Sequence, residues 1–159
     1  MNFKSMNRGE VSNLSIMVLV ALLAGLIFMP NPVDAKPPIK IGINLDYSGP
    51  FSRVDAVVIR GMHIYLDMVD WKVAGRSIKL ITGDNECKPK ATLEVAKRMI
   101  KKDSVHLLAG VTHSGCAIAL KGYVNKEKIP YIMCTFSGAE ALTLKNPSPY
   151  VFRITYADG

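Results

Sequence analysis

Ile39-Lys40-Ile41-Gly42-Ile43-Asn44-Leu45-Asp46-Tyr47-Ser48-Gly49-Pro50 is the stretch that decides the fold. Ile39 to Leu45 alternates and then meets a run of turn formers, which predicts a strand ending in a loop. From Asp55 the period changes. Val58, Met62, Tyr65, Leu66 and Val69 recur at three or four residues, a helical stripe suited to packing on a sheet. Upstream, Lys36-Pro37-Pro38 is a stiff lead-in, because proline fixes φ and carries no backbone donor.

The strand-then-helix unit repeats downstream. Gly75 breaks the chain, Ile78 to Ile81 reads as a second strand, and Gly83-Asp84-Asn85-Glu86-Cys87-Lys88 is the loop after it. Pro89 fits the first turn of a helix whose buried face carries Leu93, Ala96 and Ile100, with Met99 adjoining. Residues 105–109 form a third apolar strand, followed by a loop from Gly110 to Gly115. Cys116 to Asn125 reads as a third helix with Ile118, Ala119 and Tyr123 on its packed side. Ile129 to Met133 is a fourth strand, Thr135 to Gly138 a loop, and Ala139 to Thr143 a short helical segment. After the break at Asn146-Pro147-Ser148-Pro149, Tyr150 to Ile154 completes the pattern as a fifth strand. Alternation of this kind implies parallel strands joined by right-handed crossovers, with helices on both faces. The expected architecture is a doubly wound α/β domain.

Ligands approach such a sheet at the loops beyond the carboxyl ends of its strands. Four loops qualify: 46–54, 83–88, 110–116 and 134–138. The third holds Thr112, His113, Ser114 and Gly115, and the fourth holds Thr135 and Ser137 beside Gly138. Hydroxyls and free amides at helix starts cradle a carboxylate or phosphate. The same residues also cap helices, so the composition alone leaves both readings open.

Ahead of the domain, Lys4 and Arg8 form a basic head, Ile16 to Met29 is an apolar run, and Val33 and Ala35 are the small residues before Lys36. That pattern predicts a secretory signal peptide over residues 1–35, cut between Ala35 and Lys36; the run is short of the roughly 20 residues a spanning helix needs. The expectation is a periplasmic product spanning 36–159, enough for one core. Lys4, Arg8, Glu10 and Asp34 leave with the leader, so the net charge of +7 is unchanged. Its lysines and arginines are spread along the chain, with Lys97, Arg98, Lys101 and Lys102 at a helix C-terminus where they suit the dipole; nucleic acid is not an expected partner. Cys87, Cys116 and Cys134 are an odd set, of which one pair could close in an oxidising compartment. Neither a CxxC nor a metal-ligand cluster is visible, and His63, His106 and His113 are scattered, so no metal and no cofactor is expected.

Enzymatic motifs are missing. Thr112-His113-Ser114-Gly115-Cys116 lacks the first glycine of a nucleophile elbow. The loop after the first strand has Pro50 where a dinucleotide loop needs donors, and no P-loop occurs. Cys87 near a helix start could be a thiol nucleophile, but a disulfide or a buried thiol fits an exported chain better.

Ile39-Lys40-Ile41-Gly42-Ile43 followed by Ser48-Gly49-Pro50 resembles the opening of the periplasmic binding proteins that serve branched-chain amino-acid ABC transporters. Asp84-Asn85-Glu86-Cys87 with Pro89, Leu108-Ala109-Gly110, Ile129-Pro130-Tyr131-Ile132 and Tyr150-Val151-Phe152-Arg153 continue the likeness in order. The resemblance implies a type 1 periplasmic binding lobe over 36–159, the first of two, with the chain ending before the second. It implies a non-catalytic protein, monomeric at full length, that captures an amino acid or other small carboxylate for a membrane permease; reuse of such lobes as sensing domains, and an exported enzyme, are the alternative readings. Carried over residue by residue, Ser114 matches the serine that holds the ligand carboxylate, and Ser137 a hydroxyl residue gripping the α-amino-acid group. Thr135 stands beside them. Phe136 falls where a small residue is usual and Val54 near the site of a covering aromatic; both depart from the pattern, and a phenyl ring there either fills pocket volume or stacks on a flat solute. Cys87 matches the first cysteine of the family's disulfide. His113 stands where its partner would be, and Cys116 is the implied substitute.

Overall fold

The computed structural model describes Met17, Val18 and residues 36–157. The leader's cleavage after Ala35 therefore lies outside the described residues, and the fold is that of the unit beginning at Lys36. Its elements are β1 (Ile39–Leu45), α1 (Ser52–Met68), β2 (Lys72–Val73), β3 (Arg76–Asp84), α2 (Pro89–Lys101), β4 (Leu107–Gly110), α3 (Ser114–Glu127), β5 (Tyr131–Met133), a 3-10 turn (Glu140–Leu142) and β6 (Val151–Arg153). The sheet order is β2-β3-β1-β4-β5-β6. β1 runs parallel to β3, with Ile39 opposite Ile78, and to β4, with Ile41 opposite Leu107. β4–β5 and β5–β6 are parallel too, and only the two-residue β2 is antiparallel.

The expected doubly wound α/β fold is what forms. Alternation along β1 sends Ile41, Ile43 and Leu45 to the face covered by α1, where Val58, Ile59 and Met62 meet them. Gly42 faces the other side. A Cβ there would stand 2.6 Å from Leu108 and 3.0 Å from the Met99 sulfur, so the missing side chain is what lets α2 settle on the sheet. On that face α2 and α3 bury Ala96, Met99, Ala117, Leu120 and Val124 against Leu108, Tyr131 and Met133.

Three details differ from the sequence reading. Tyr65, expected on the packed stripe of α1, is exposed. α3 begins two residues earlier than expected and packs through Cys116, Ala117, Leu120 and Val124, leaving Ile118 exposed; small residues (Gly115, Ala117, Ala119, Gly122) are scattered along this helix, so its stripe has little contrast. The β2 hairpin has no counterpart in the sequence pattern, because two residues carry no readable alternation.

Candidate functional site

Between β1 and β4 the chain reverses its direction of winding: β1 leads away to β3 on one side, and the return to β4 passes to the other. A doubly wound sheet opens its binding crevice at such a switch point. Over it stand the loops after β1, β3, β4 and β5.

The first three loops are tied together by buried polar side chains. Asn44 donates to the Thr92 carbonyl (3.0 Å), Asn85 donates to the Asn44 side-chain oxygen (3.2 Å), and the Asn85 oxygen accepts the Cys87 amide (2.9 Å). Asp46 accepts the amides of Gly49 and Phe51. Asp55, fully buried at the start of α1, accepts the Asp46 amide at 2.7 Å and the Thr112 hydroxyl, which binds the loop after β4 to the loop after β1. Burial raises the Asp55 carboxyl above its ordinary value, opposed by those two hydrogen bonds. For Asp84 burial also pushes upward, but hydrogen bonds from Ser48, Glu86 and Tyr47 prevail and hold it below the usual range. Gly110 has φ +111, and a Cβ there would meet the Asn44 carbonyl at 2.6 Å. Val111, in the left-handed region at φ +62, donates its amide to that same carbonyl (2.8 Å). A β-branched residue rarely adopts this conformation, so the turn out of β4 is held by its surroundings.

The loop after β5 is different. The Thr135 hydroxyl is buried and has no hydrogen-bond partner, a condition it shares, among the described residues, with the Tyr47 hydroxyl. Tyr47 packs with Val58 and Cys134 on the α1 face. Burial first, then the charges of Asp55 and Asp84, push its phenol up to about 12, and burial pushes the Cys134 thiol up to about 11. Thr135 and Phe136, with Val58, Cys134, Ile154 and Thr155, line a cavity of about 310 Å³, and the Phe136 ring is 53% exposed.

Of the residues singled out from sequence, Thr135 and Phe136 are thus brought together. Val54 is half-buried on α1, one turn before Val58, and stands outside the lining. Ser137 faces inward: it is fully buried and donates to the Val111 carbonyl at 2.5 Å, so its hydroxyl proton braces two loops. Ser114 does not cap α3. His113 holds the cap position without a side-chain hydrogen bond, which leaves the first-turn amides from Ser114 onward uncapped at the switch point. Cys87, Cys116 and Cys134 are free thiols, and the ligating atoms of Cys87, His113 and Cys116 lie within 4.8 Å of one another. A metal-ligand cluster, invisible in the spacing, is therefore present in space. Tyr47, Asp55 and Asn85 also escape the sequence reading; aspartate and asparagine at the ends of apolar strands are the available signal.

The family model described as periplasmic binding protein matches residues 38–159. The chain belongs to the periplasmic binding protein family. An ABC transporter substrate-binding protein from Sphaerobacter thermophilus is similar at 33% identity and TM-score 0.71, over 77% of this chain and 33% of its own. A solute binding protein of an ABC transporter from R. palustris, solved with benzoate, is 27% identical with TM-score 0.67, over 76% and 33%. Leucine binding protein LivK from Thermotoga maritima shares the fold at 20% identity and TM-score 0.66, over 76% and 33%. This periplasmic binding protein chain thus spans about a third of the length of its solved relatives. A search of curated proteins finds no match. The sequence-based expectations of the family and of the type 1 lobe hold.

Proposed function

We propose that residues 36–159 are the first lobe of an exported, non-catalytic solute-binding protein that captures a small carboxylate and delivers it to the permease of an ABC importer. The observation that carries this reading is the buried, unpartnered Thr135 hydroxyl in the wall of a cavity bordered by the open Phe136 ring. A buried polar group without a partner costs about 1–3 kcal/mol, a cost offset when a ligand supplies the partner. Ser114 is not in the lining of that cavity, but on the same sheet edge the uncapped first turn of α3 supports it and its neighbouring amides as the partners of an anion. Phe136 favours a flat apolar body next to the carboxylate, since rings gain from offset or edge contacts. The benzoate held by the R. palustris relative supports this class of solute alongside the amino acids.

Calorimetric titration of the full-length protein with benzoate, phenylalanine and leucine tests the assignment. Ser114→Ala is expected to weaken the bound carboxylate about ten- to a hundredfold, from the roughly 1.5–3 kcal/mol of a charge-assisted hydrogen bond. Unchanged affinity would remove Ser114 from the site. Preference for an uncharged sugar would overturn the carboxylate class.

A further inference from the structure

The side chains of Cys87, His113 and Cys116 stand outside the lining of the Thr135 cavity, yet they bring two thiols and an imidazole to one point. We propose that the reduced Cys87–Cys116 pair and His113 form a three-ligand Zn2+ site, with the fourth position open to water. The ligating atoms already lie within 4.8 Å of one another. Tetrahedral zinc with Zn–S of about 2.3 Å and Zn–N of about 2.0 Å separates its ligands by roughly 3.5–3.8 Å. Closing the remaining gap takes at most about 1.3 Å of movement.

The scaffold favours that movement. Cys116 is buried in the first turn of α3 and His113 is that helix's cap residue, so the two project from one side three residues apart. Cys87 comes from the loop after β3, on a turn where Glu86 and Cys87 both have positive φ and where Asn85 holds the Cys87 amide. His113 is exposed and flanked by the Phe51 ring at 6.1 Å. Zinc binding displaces the two thiol protons to buffer. Asp46 does not complete the set, because its two carboxylate oxygens serve the amides of Gly49 and Phe51. Two thiolates and one imidazole select zinc over magnesium or calcium, which prefer oxygen.

The test is Co2+ titration of the full chain, purified under reducing conditions. A sulfur-to-cobalt charge-transfer band at one equivalent, with intense tetrahedral d–d bands bleached by Zn2+, is expected. Because loss of a mere supporting partner lowers metal affinity about 10–100-fold, His113→Ala should weaken zinc by at least about tenfold. Cys87→Ala should abolish the charge-transfer pattern of a two-thiolate site. Both positions are at least partly exposed, so these variants test the site without emptying the core as Cys116→Ala would; His63→Ala and His106→Ala should change nothing. Absence of the band, or equal zinc affinity in His113→Ala, overturns the site. So does exported material in which peptide mapping finds Cys87 and Cys116 joined as a disulfide and no zinc bound.

Discussion

The loops after β1 and β3 and the loop after β5 sit on the same edge of one sheet and use their polar groups in opposite ways. In the first pair, Asn44, Asp46, Asp55, Asp84 and Asn85 hydrogen-bond to neighbouring backbone and side chains. In the second, Thr135 keeps a buried hydroxyl without a partner and Phe136 presents its ring to solvent. Bracing and contact are separate tasks: the loops after β1 and β3 brace, while the loop after β5 braces through Ser137 and keeps Thr135 and Phe136 for contact. Substitutions of the bracing side chains should therefore cost stability, and substitutions of Thr135 and Phe136 should cost affinity.

The largest expected effect is at the hub of the braced side. Asp55→Ala leaves the Asp46 amide and the buried Thr112 hydroxyl without their acceptor, and urea unfolding should show a loss of about 2–4 kcal/mol. A loss below about 0.5 kcal/mol, the size of an ordinary surface change, would erase the distinction between the loops. Thr135→Val replaces an unpartnered hydroxyl by a methyl of similar shape. It should leave the unliganded protein as stable as before or stabilise it by up to about 1 kcal/mol, while solute affinity falls about tenfold. Destabilisation with intact affinity would make Thr135 a brace. Phe136→Ala should change stability by no more than about 0.5 kcal/mol, and should weaken an aromatic carboxylate by about 0.5–1.5 kcal/mol while sparing an aliphatic one.

The smallest effect is a pH dependence. Asp84 is held below its ordinary value of 3.8, so the stability it contributes is present above pH 3.8 and is lost as pH falls through the lower folded value. Asp55 is raised above 3.8, so its titration acts in the reverse sense, with a contribution present below 3.8 that is lost as pH rises through the raised folded value. Asp84→Asn should flatten the acid flank of a stability–pH curve and leave the neutral region nearly unchanged. A flank that keeps its slope would assign the acid sensitivity elsewhere.

Much of the fold is legible in the sequence because alternation and helical period differ sharply where side chains are large. Ile41, Ile43 and Leu45 declare β1, and Ala96 is buried on α2 as its spacing predicts. Where most residues of a helix are small or apolar the signal fades, and in α3 the pattern points through Ile118 to the wrong face. The site is legible to the level of its loops, since the carboxyl ends of parallel strands are fixed by the topology. Single residues are harder. Ser137 and Thr135 belong to the same loop and carry the same group, yet one braces Val111 and the other has no partner, a difference that lies in local backbone direction. The Cys87–His113–Cys116 cluster depends on β3 and β4 flanking β1, so that two loops separated by the whole of α2 converge.

That same strand order sets a timetable for the growing chain. β1 precedes every other described strand and occupies the middle of the sheet, and Ile41 meets its β4 neighbour only at Leu107, after α1, β3 and α2 have been made. At roughly 5–20 residues per second, the ribosome delivers that neighbour about 3–13 s after β1. Throughout this interval the central strand has an apolar face and no complete set of partners. β3 can pair with β1 before then, but the centre of the sheet is closed on both sides only once β4 has been made.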